Sequence, residues 1–340
     1  MPIILRLYLR AVRLRKTSLL ILALAFIAGS ATLAYALEPS TFGTWFNALY
    51  WVLTTMATVG YGDYYAKTAA GKTFTIFLYI FGIGLLSLII GKIVDSVAAI
   101  HRQREAGKLM YQGKDHVIVI NWSKKAHYAI EEILSYSSGA GVVLIDESDK
   151  HPLPDRHEVH FVSGDPSADE VLERANLRGA RAAIIFSDAR IDEPALVDGK
   201  TLLIASSIER IAPDIHTTAE ISQDKHIANF RHVKVNEFVL SHDAVSRLAV
   251  RSALQQGNSD IFNQLLSRQH GDDIYEIPVR PDWRTYGDAF QALLREGATL
   301  LSDRGDLTIN RKLSDPIPKE ARLFAVTDEA TYRTISAGKR

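Results

Sequence analysis

Thr54-Thr55-Met56-Ala57-Thr58-Val59-Gly60-Tyr61-Gly62-Asp63 is the stretch on which the fold turns. It ends a run rich in apolar and aromatic residues: Trp45, Phe46, Leu49, Tyr50, Trp51, Val52 and Leu53. Such a run makes about three helical turns, too few to cross a bilayer. A re-entrant segment of this kind is tolerated only where protein buries it or where it lines a watery cavity. Two longer apolar runs flank it. Residues 18–37 are 20 residues without a charge, and residues 73–91 are 19 more between Lys72 and Lys92. Twenty helical residues span ~30 Å, the thickness of a bilayer core. A cleaved leader would have a shorter apolar region, ~7–15 residues, and Glu38-Pro39 makes a poor cleavage site.

Charge divides the 340 residues into unlike parts. Residues 1–100 hold eight basic and three acidic side chains, residues 101–340 hold 31 and 36, and the whole is neutral. The balance gives no reason to expect nucleic acid as a partner. Absence of Cys excludes disulfides, thiolate metal sites and Cys nucleophiles. Arg6, Arg10, Arg13, Arg15 and Lys16 precede the first span, and Arg102, Arg104, Lys108 and Lys114 follow the second. Positive flanks stay inside, so both termini are expected in the cytoplasm of a multi-pass cell-membrane protein. Ile3, Ile4, Leu7 and Val12 among those basic residues suit a surface-lying amphipathic helix. Neither span carries regularly spaced Arg, so a voltage sensor is not expected.

Thr58-Val59-Gly60-Tyr61-Gly62 resembles, letter for letter, the selectivity filter of the two-span potassium channels. The resemblance implies four such loops around an axis, whose backbone carbonyls replace the water shell of a K+ ion. Gly60 and Gly62 let successive carbonyls point one way, which a residue with a Cβ does poorly. The Thr58 hydroxyl adds an inner ring of ligands. Val59 and Tyr61 are expected to face away from the ion, into an aromatic cuff of Tyr50 and Trp51. Asp63 follows the filter as in the family. The Glu that some members carry one turn before the filter is Thr54 here. Gly82 and Gly84, mid-way in the second span, suit a bending point, and the resemblance makes Gly82 the gating hinge; close helix packing is the alternative reason for a Gly. Ser87 and Gly91 are expected to line the inner mouth and Asp95 to ring the cytoplasmic entrance, unless Lys92 neutralises it.

Beyond a polar linker the pattern becomes α/β. Strands are expected over 116–120, 141–145, 159–162, 182–186, 216–220 and 237–240, with helices over 126–134 and 196–211 and a capping box of Ser167 and Glu170. This alternation argues for a doubly wound parallel sheet, whose ligands bind at the carboxyl ends of the strands. The first strand–helix turn reads Asn121-Trp122-Ser123-Lys124-Lys125-Ala126, and only Ala126 fits the dinucleotide glycine fingerprint. Asp146 stands where an acid would hold ribose hydroxyls, or else it caps a turn. Gly71-Lys72-Thr73 and Gly199-Lys200-Thr201 lack the upstream Gly of a phosphate loop, having Ala66 and Pro194 there.

Behind such a pore, Gly164-Asp165-Pro166, Leu172, Ala175, Gly179-Ala180-Arg181-Ala182 and Ala219-Glu220 resemble the RCK domain, the regulator of potassium conductance. The expected fold is therefore an all-α two-helix pore with a re-entrant pore helix, then a Rossmann-like α/β RCK domain with a small α+β C-terminal lobe. Its layout is a cytoplasmic segment over 1–17, a pore over 18–100 (spans 18–37 and 73–100, pore helix and filter 44–63) and a linker over 101–115. An N-lobe over 116–242, crossover helices over 243–268 and a C-lobe over 269–340 follow. The resemblance implies a homotetramer in the lipid bilayer over a ring of eight RCK domains, with Met110 either a linker residue or an internal start for extra ring subunits. Asn121, Ser123, Asp146 and Asp165 are the candidate ligand residues, for an adenine nucleotide or a cyclic dinucleotide. Asp188 and Glu220 are the candidate calcium ligands, although the family's second acid is Ser222 here. All eleven His lie after residue 100. His157 and His160 lack a third ligand for zinc, which leaves proton sensing open. The expected function is a ligand-gated potassium channel and not an enzyme. The alternatives are a membrane-anchored nucleotide-dependent oxidoreductase and a non-conducting subunit of a potassium transporter.

Overall fold

The computed structural model describes residues 16–136, 139, 141–266 and 271–337. The expected amphipathic segment, with Arg6, Arg10, Arg13 and Arg15, lies outside the described residues. Two compact units divide between Gln103 and Arg104.

In the first unit, helix α1 (Lys16–Leu37) leads through the one-turn α2 (Pro39–Phe42) to α3 (Trp45–Met56), and the chain returns as α4 (Ala69–Glu105). Helices α1 and α4 are long and apolar enough to cross a membrane. Thr44 starts α3 by accepting a hydrogen bond from the Asn47 amide. Ala31 and Ala34 of α1 and Ala48 of α3 are buried, and such small side chains let the two backbones approach. Phe42, Trp51, Val52, Met56, Phe74 and Leu78 complete this core. Helix α4 extends beyond both ends of the expected 73–100. No Gly or Pro interrupts it between Lys92 and Glu105, and Gly107, at φ +61°, turns the chain out of the helix.

The second unit carries a six-stranded sheet of order β3-β2-β1-β4-β5-β6. Its strands are β1 (His116–Ile120), β2 (Val142–Asp146), β3 (Val159–Ser163), β4 (Ala180–Ile185), β5 (His216–Glu220) and β6 (Glu237–Val239). Every pairing is parallel. Helices α5 (Lys124–Tyr136), α6 (Asp169–Arg174) and α7 (Pro194–Ile211) connect them. All of β1 and β2 is buried, which is why both read as unbroken β-branched runs rather than alternating ones. The order reverses between β1 and β4, so a crevice opens at their carboxyl ends.

One expectation fails here. Ser167 and Glu170 form no capping box: Ala168 is the N-cap of α6 and makes no side-chain cap. The Ser167 amide and hydroxyl both donate to Asp165, 2.8 and 2.7 Å away. An aspartate turn two residues upstream has captured the serine.

Helices α8 (Ser241–Leu254) and α9 (Asn258–Leu266) follow, and neither buries a residue within the chain. The small lobe has strands β7 (Asp273–Ile277), β8 (Thr299–Asp303) and β9 (Leu323–Thr327) in antiparallel order β7-β9-β8. Helices α10 (Tyr286–Arg295) and α11 (Glu329–Ala337) complete it around a core that includes Trp283, Leu293 and Leu323.

Candidate functional site

The filter segment hangs from the C-terminal end of α3. The Thr54 carbonyl accepts from the amides of Val59 at 2.9 Å and Gly60 at 3.3 Å. Backbone φ is positive at Thr58 (+60°), Gly60 (+52°) and Gly62 (+83°), but not at Val59 or Tyr61. This alternation between left- and right-handed residues turns successive carbonyls toward one side of the strand. Left-handed angles were expected of the two glycines; Thr58 was expected only to offer its hydroxyl, and its left-handed backbone is strained for a β-branched residue. Residues 57–63 are all exposed, Val59 at 52% and Tyr61 at 72%. The expected cuff around them does not form within one chain. Tyr50 meets Tyr64 edge-on at 6.3 Å and Trp51 packs on Phe42 at 5.1 Å. The Asp63 carboxylate accepts from the Tyr64 amide and faces the Tyr50 hydroxyl. Thr54 bonds back to the Trp51 carbonyl.

Behind the filter lies a group that sequence reasoning missed. Glu38 is buried, and its carboxylate accepts from the amides of Lys67 (2.9 and 3.0 Å) and Thr68 (2.8 Å). The hydroxyls of Thr68 and Thr41 also donate to it, each at 2.8 Å. Burial alone would raise this carboxyl, but those four groups outweigh it and bring it down to about 2. Glu38 thus ties the C-terminal end of α1 to the start of α4, just beyond the 58–62 segment in the chain. Gly71 is required beside it, since a Cβ there would lie 2.1 Å from Glu38 Oε1. The signal was available: Glu38 and Asp63 are the only acids in residues 17–94.

Gly82 faces Met56. A Cβ on Gly82 would lie 2.7 Å from Met56 Cγ, whereas Gly84 has nothing within 4 Å. Helix α4 runs unbroken through both. Close packing against the end of α3 therefore accounts for Gly82, and Gly84 is the one without a packing reason. Ser87 donates to the Ile83 carbonyl, and Asp95 is exposed.

In the second unit, the first turn keeps the left-handed corner of a dinucleotide site with Asn121, at φ +70°, in the place of the first Gly. Asn121 Nδ2 donates to the Phe186 carbonyl at 2.7 Å, and its Oδ1 is buried without a partner. Ser123 caps α5 through the Ala126 amide. Asp146 is buried and accepts from the amides of Trp122 and Ser148, both at 2.9 Å. Its turn-capping reading holds. Asp165 is spent on Ser167.

Asp188 and Glu220 do not face a shared ion site. Arg190 grips Asp188 with Nε at 2.7 Å and a second nitrogen at 2.9 Å, and Lys200 Nζ reaches it at 2.7 Å. Burial would raise the Asp188 carboxyl, but these partners hold it well below the usual range. Arg190 also reaches Asp146 and Glu147, both at 3.5 Å. Glu220 takes Lys125 and the Ser241 hydroxyl on one oxygen and the Ser187 amide, at 2.9 Å, on the other. Burial would raise this group too, and those donors bring it down. Among the described residues no three His, Asp or Glu side chains converge as a metal would need. Within this chain each carboxylate of the pair is neutralised by a base of its own, Asp188 by Arg190 and Lys200 and Glu220 by Lys125. A cavity of about 200 Å³ opens beside them, lined by Ser123, Lys125, Ser187, Asp188, Ser222 and His242 among others. Lys125, Arg190 and Lys200 carried no signal of their own in the sequence, because the fold alone brings them together.

Comparison with known proteins bears on both units. Residues 20–99 match the family model described as ion channel. Residues 112–219 match that of the calcium-activated potassium channel slowpoke-like RCK domain. YugO of Bacillus subtilis (strain 168), provisionally named a potassium channel protein, is 31% identical over 68% of this chain and 70% of its own length. The chain belongs to the RCK-bearing potassium-channel family. The calcium-gated potassium channel TvoK of Thermoplasma volcanium is 28% identical over 68% of this chain and 67% of its own. Among solved structures, the human SLO3 gating ring covers 65% of this chain and 46% of its own, with TM-score 0.52 and 13% identity, a likeness of fold. The GsuK channel bound to NAD covers 94% of this chain with TM-score 0.48 and 17% identity. The chain spans only 61% of the length of GsuK solved with ADP. These relatives are named as channels, which disfavours the oxidoreductase and transporter-subunit alternatives.

Proposed function

We propose that this chain forms a tetrameric, K+-selective pore of the cell membrane, with both termini cytoplasmic, gated by a ligand bound to its RCK domain. One observation carries the pore reading: alternating positive φ at Thr58, Gly60 and Gly62 in a segment that a single chain leaves exposed. Polar backbone at membrane depth must line a cavity, and four copies around an axis provide one. Asp63 and Thr58 then bound the filter, while Ser87 and Asp95 face the inner entrance. The bare apolar faces of α8 and α9, with Val245, Leu254, Ile261 and Leu266 exposed, suit a ring of paired RCK domains, eight in all.

For the effector, the charges at the crevice favour an anion. The acids Asp188 and Glu220 are 4% exposed, whereas Arg190 and Lys125 are 46% and 50% exposed. A ligand arriving from solvent meets the cations first. An adenine nucleotide fits this order, and so does a cyclic dinucleotide; Ca2+ would have to displace three basic side chains. ADP and NAD are bound in solved GsuK structures, and TvoK is named as calcium-gated. The reading is tested by thermal unfolding of the full chain in detergent with ATP, ADP, NAD, a cyclic dinucleotide or Ca2+. A nucleotide shift of the midpoint, lost in Arg190→Ala, is the expected result. A calcium shift lost in Glu220→Ala would overturn the anion assignment.

A further inference from the structure

The segment that continues α4 into the RCK domain, 104–111, is held along β3 mainly by its own backbone. Ser163 N and Arg174 Nη1 both donate to the Gly107 carbonyl at 3.0 Å. The Tyr111 amide donates to the Arg174 carbonyl, and the His151 amide to the Glu105 carbonyl, both at 2.8 Å. Gly107 packs so closely that a Cβ would lie 2.4 Å from Ser163 N. Arg104 donates to the His157 carbonyl at 3.0 Å.

Three histidines form the wall behind this segment. His160 Nε2 bonds the Leu109 carbonyl at 2.9 Å, inside the segment itself. His116 Nε2 bonds the Ala175 carbonyl at 3.0 Å, and His151 Nε2 the Val159 carbonyl at 3.2 Å. The Tyr111 ring meets His116 edge-on at 4.5 Å and lies tilted to His160 at 5.2 Å. A carbonyl only accepts, so Nε2 of each ring carries the hydrogen and Nδ1 keeps the lone pair. At His151 that lone pair accepts from the Leu153 amide at 3.0 Å. At His116 it is buried without a partner. A second proton would set two donors against each other at Leu153, and at His116 it would bury a cation with nothing to receive its hydrogen.

We propose that cytoplasmic protons are a second effector of this chain, read by His116, His151 and His160, whose rings are packed neutral behind segment 104–111 and whose protonation favours its release from β3. The groups facing the three rings are Arg104, Glu105, Tyr111 and Asp115, and His160 itself faces both His116 and His151 and opposes their charging. Glu105 and Asp115 favour the charged rings and Arg104 opposes them, but burial is the largest influence and lowers all three from the ordinary 6.5. The sign follows. The docked segment is fully favoured above that ordinary value, and the preference is lost as pH falls below it, because the released state binds more protons. The segment is the covalent link between the pore's last helix and the ring, so its release would uncouple the two.

The test uses the full chain in liposomes. Amide exchange of 104–111, corrected for intrinsic rate, is measured at cytoplasmic-side pH 7.5 and 5.5 alongside K+ flux. Protection of 104–111 is expected to fall roughly tenfold at the lower pH, equivalent to about 1.4 kcal/mol, while β1 and β2 stay protected. The flux should change over the same interval. His160→Gln, which keeps a donor to Leu109 without titrating, and His151→Gln with it, should weaken both responses, leaving only the part that His116 carries. Protection of 104–111 that does not change with pH, or an undiminished response in the double variant, overturns the proposal. Changed protection with unchanged flux also overturns it, since the protons would then not be an effector. Absence of any flux at either pH would instead defeat the pore reading and leave the exchange result to decide the clamp.

Discussion

In the first unit, residues 57–63 are left exposed by the chain that carries them, whereas in the second unit every residue of β1 and β2 is buried. The RCK sheet finds its hydrogen-bond partners and its apolar cover within one chain. The filter segment finds an anchor at each end, Thr54 and the Glu38 clamp, and little between. A structure in which polar backbone is shaped but uncovered is half of an interface, and its shape is explained only by the copies that complete it. The six-stranded sheet is complete within one chain, whereas the 57–63 segment is not.

That contrast is broken most easily at the glycines. Ala at Gly60 or Gly62 meets no neighbour of its own chain within 4 Å, so within one chain the effect comes from backbone angle. Left-handed φ disfavours a residue with a Cβ by ~1–2 kcal/mol, repeated in each copy. Either substitution is expected to abolish selective K+ flux; unchanged selectivity in both would sink the filter assignment. A smaller effect separates packing from bending. Gly82→Ala should destabilise by about 1–3 kcal/mol, as overpacking does, and Met56→Ala should relieve most of that in the double variant. A double-mutant cycle on the unfolding midpoint measures it, and no coupling between the two would restore Gly82 as a pure hinge. Smaller again is Glu38→Gln, which keeps the shape but loses the charge on four hydrogen bonds, at about 1–3 kcal/mol. The Glu38 carboxyl sits at about 2, below its ordinary 4.5, so its contribution persists above 4.5 and is lost only as pH falls toward 2. Outer-side pH 4.5 should leave the unfolding midpoint of the wild type within error of its neutral value; a drop there would contradict the clamp.

The two units were also unequally legible in the sequence. The 58–62 motif stood out as a candidate filter because the chemistry proposed for it is backbone chemistry, and the residues that permit that backbone are the motif itself. The doubly wound parallel sheet followed from unbroken apolar runs alternating with helical spacing, but the strand order, and with it the edge between β1 and β4, did not. The crevice did not read. Asp188 and Glu220 were singled out by resemblance to calcium-gated channels, and the bases beside them, Arg190, Lys200 and Lys125, are local or distant in ways that spacing does not rank. Gly71 illustrates the same limit: it stood in a false phosphate motif, and its true reason, the carboxylate of Glu38 against its α-carbon, is a tertiary contact. Ser167 failed as a cap for a local reason, because Asp165 competes for it two residues away.

Copies of the 58–62 segment that make a K+-selective path must set the voltage at which current through them vanishes. The reversal potential of the purified full chain, in a planar bilayer with K+ on one side and Na+ on the other, therefore decides between a filter and a mere loop. The expected potential is close to that of a membrane permeable to K+ alone, shifted toward zero or lost with Gly62→Ala. A wild-type current that reverses near zero, or no current across the range of effectors and pH tested, would contradict the filter.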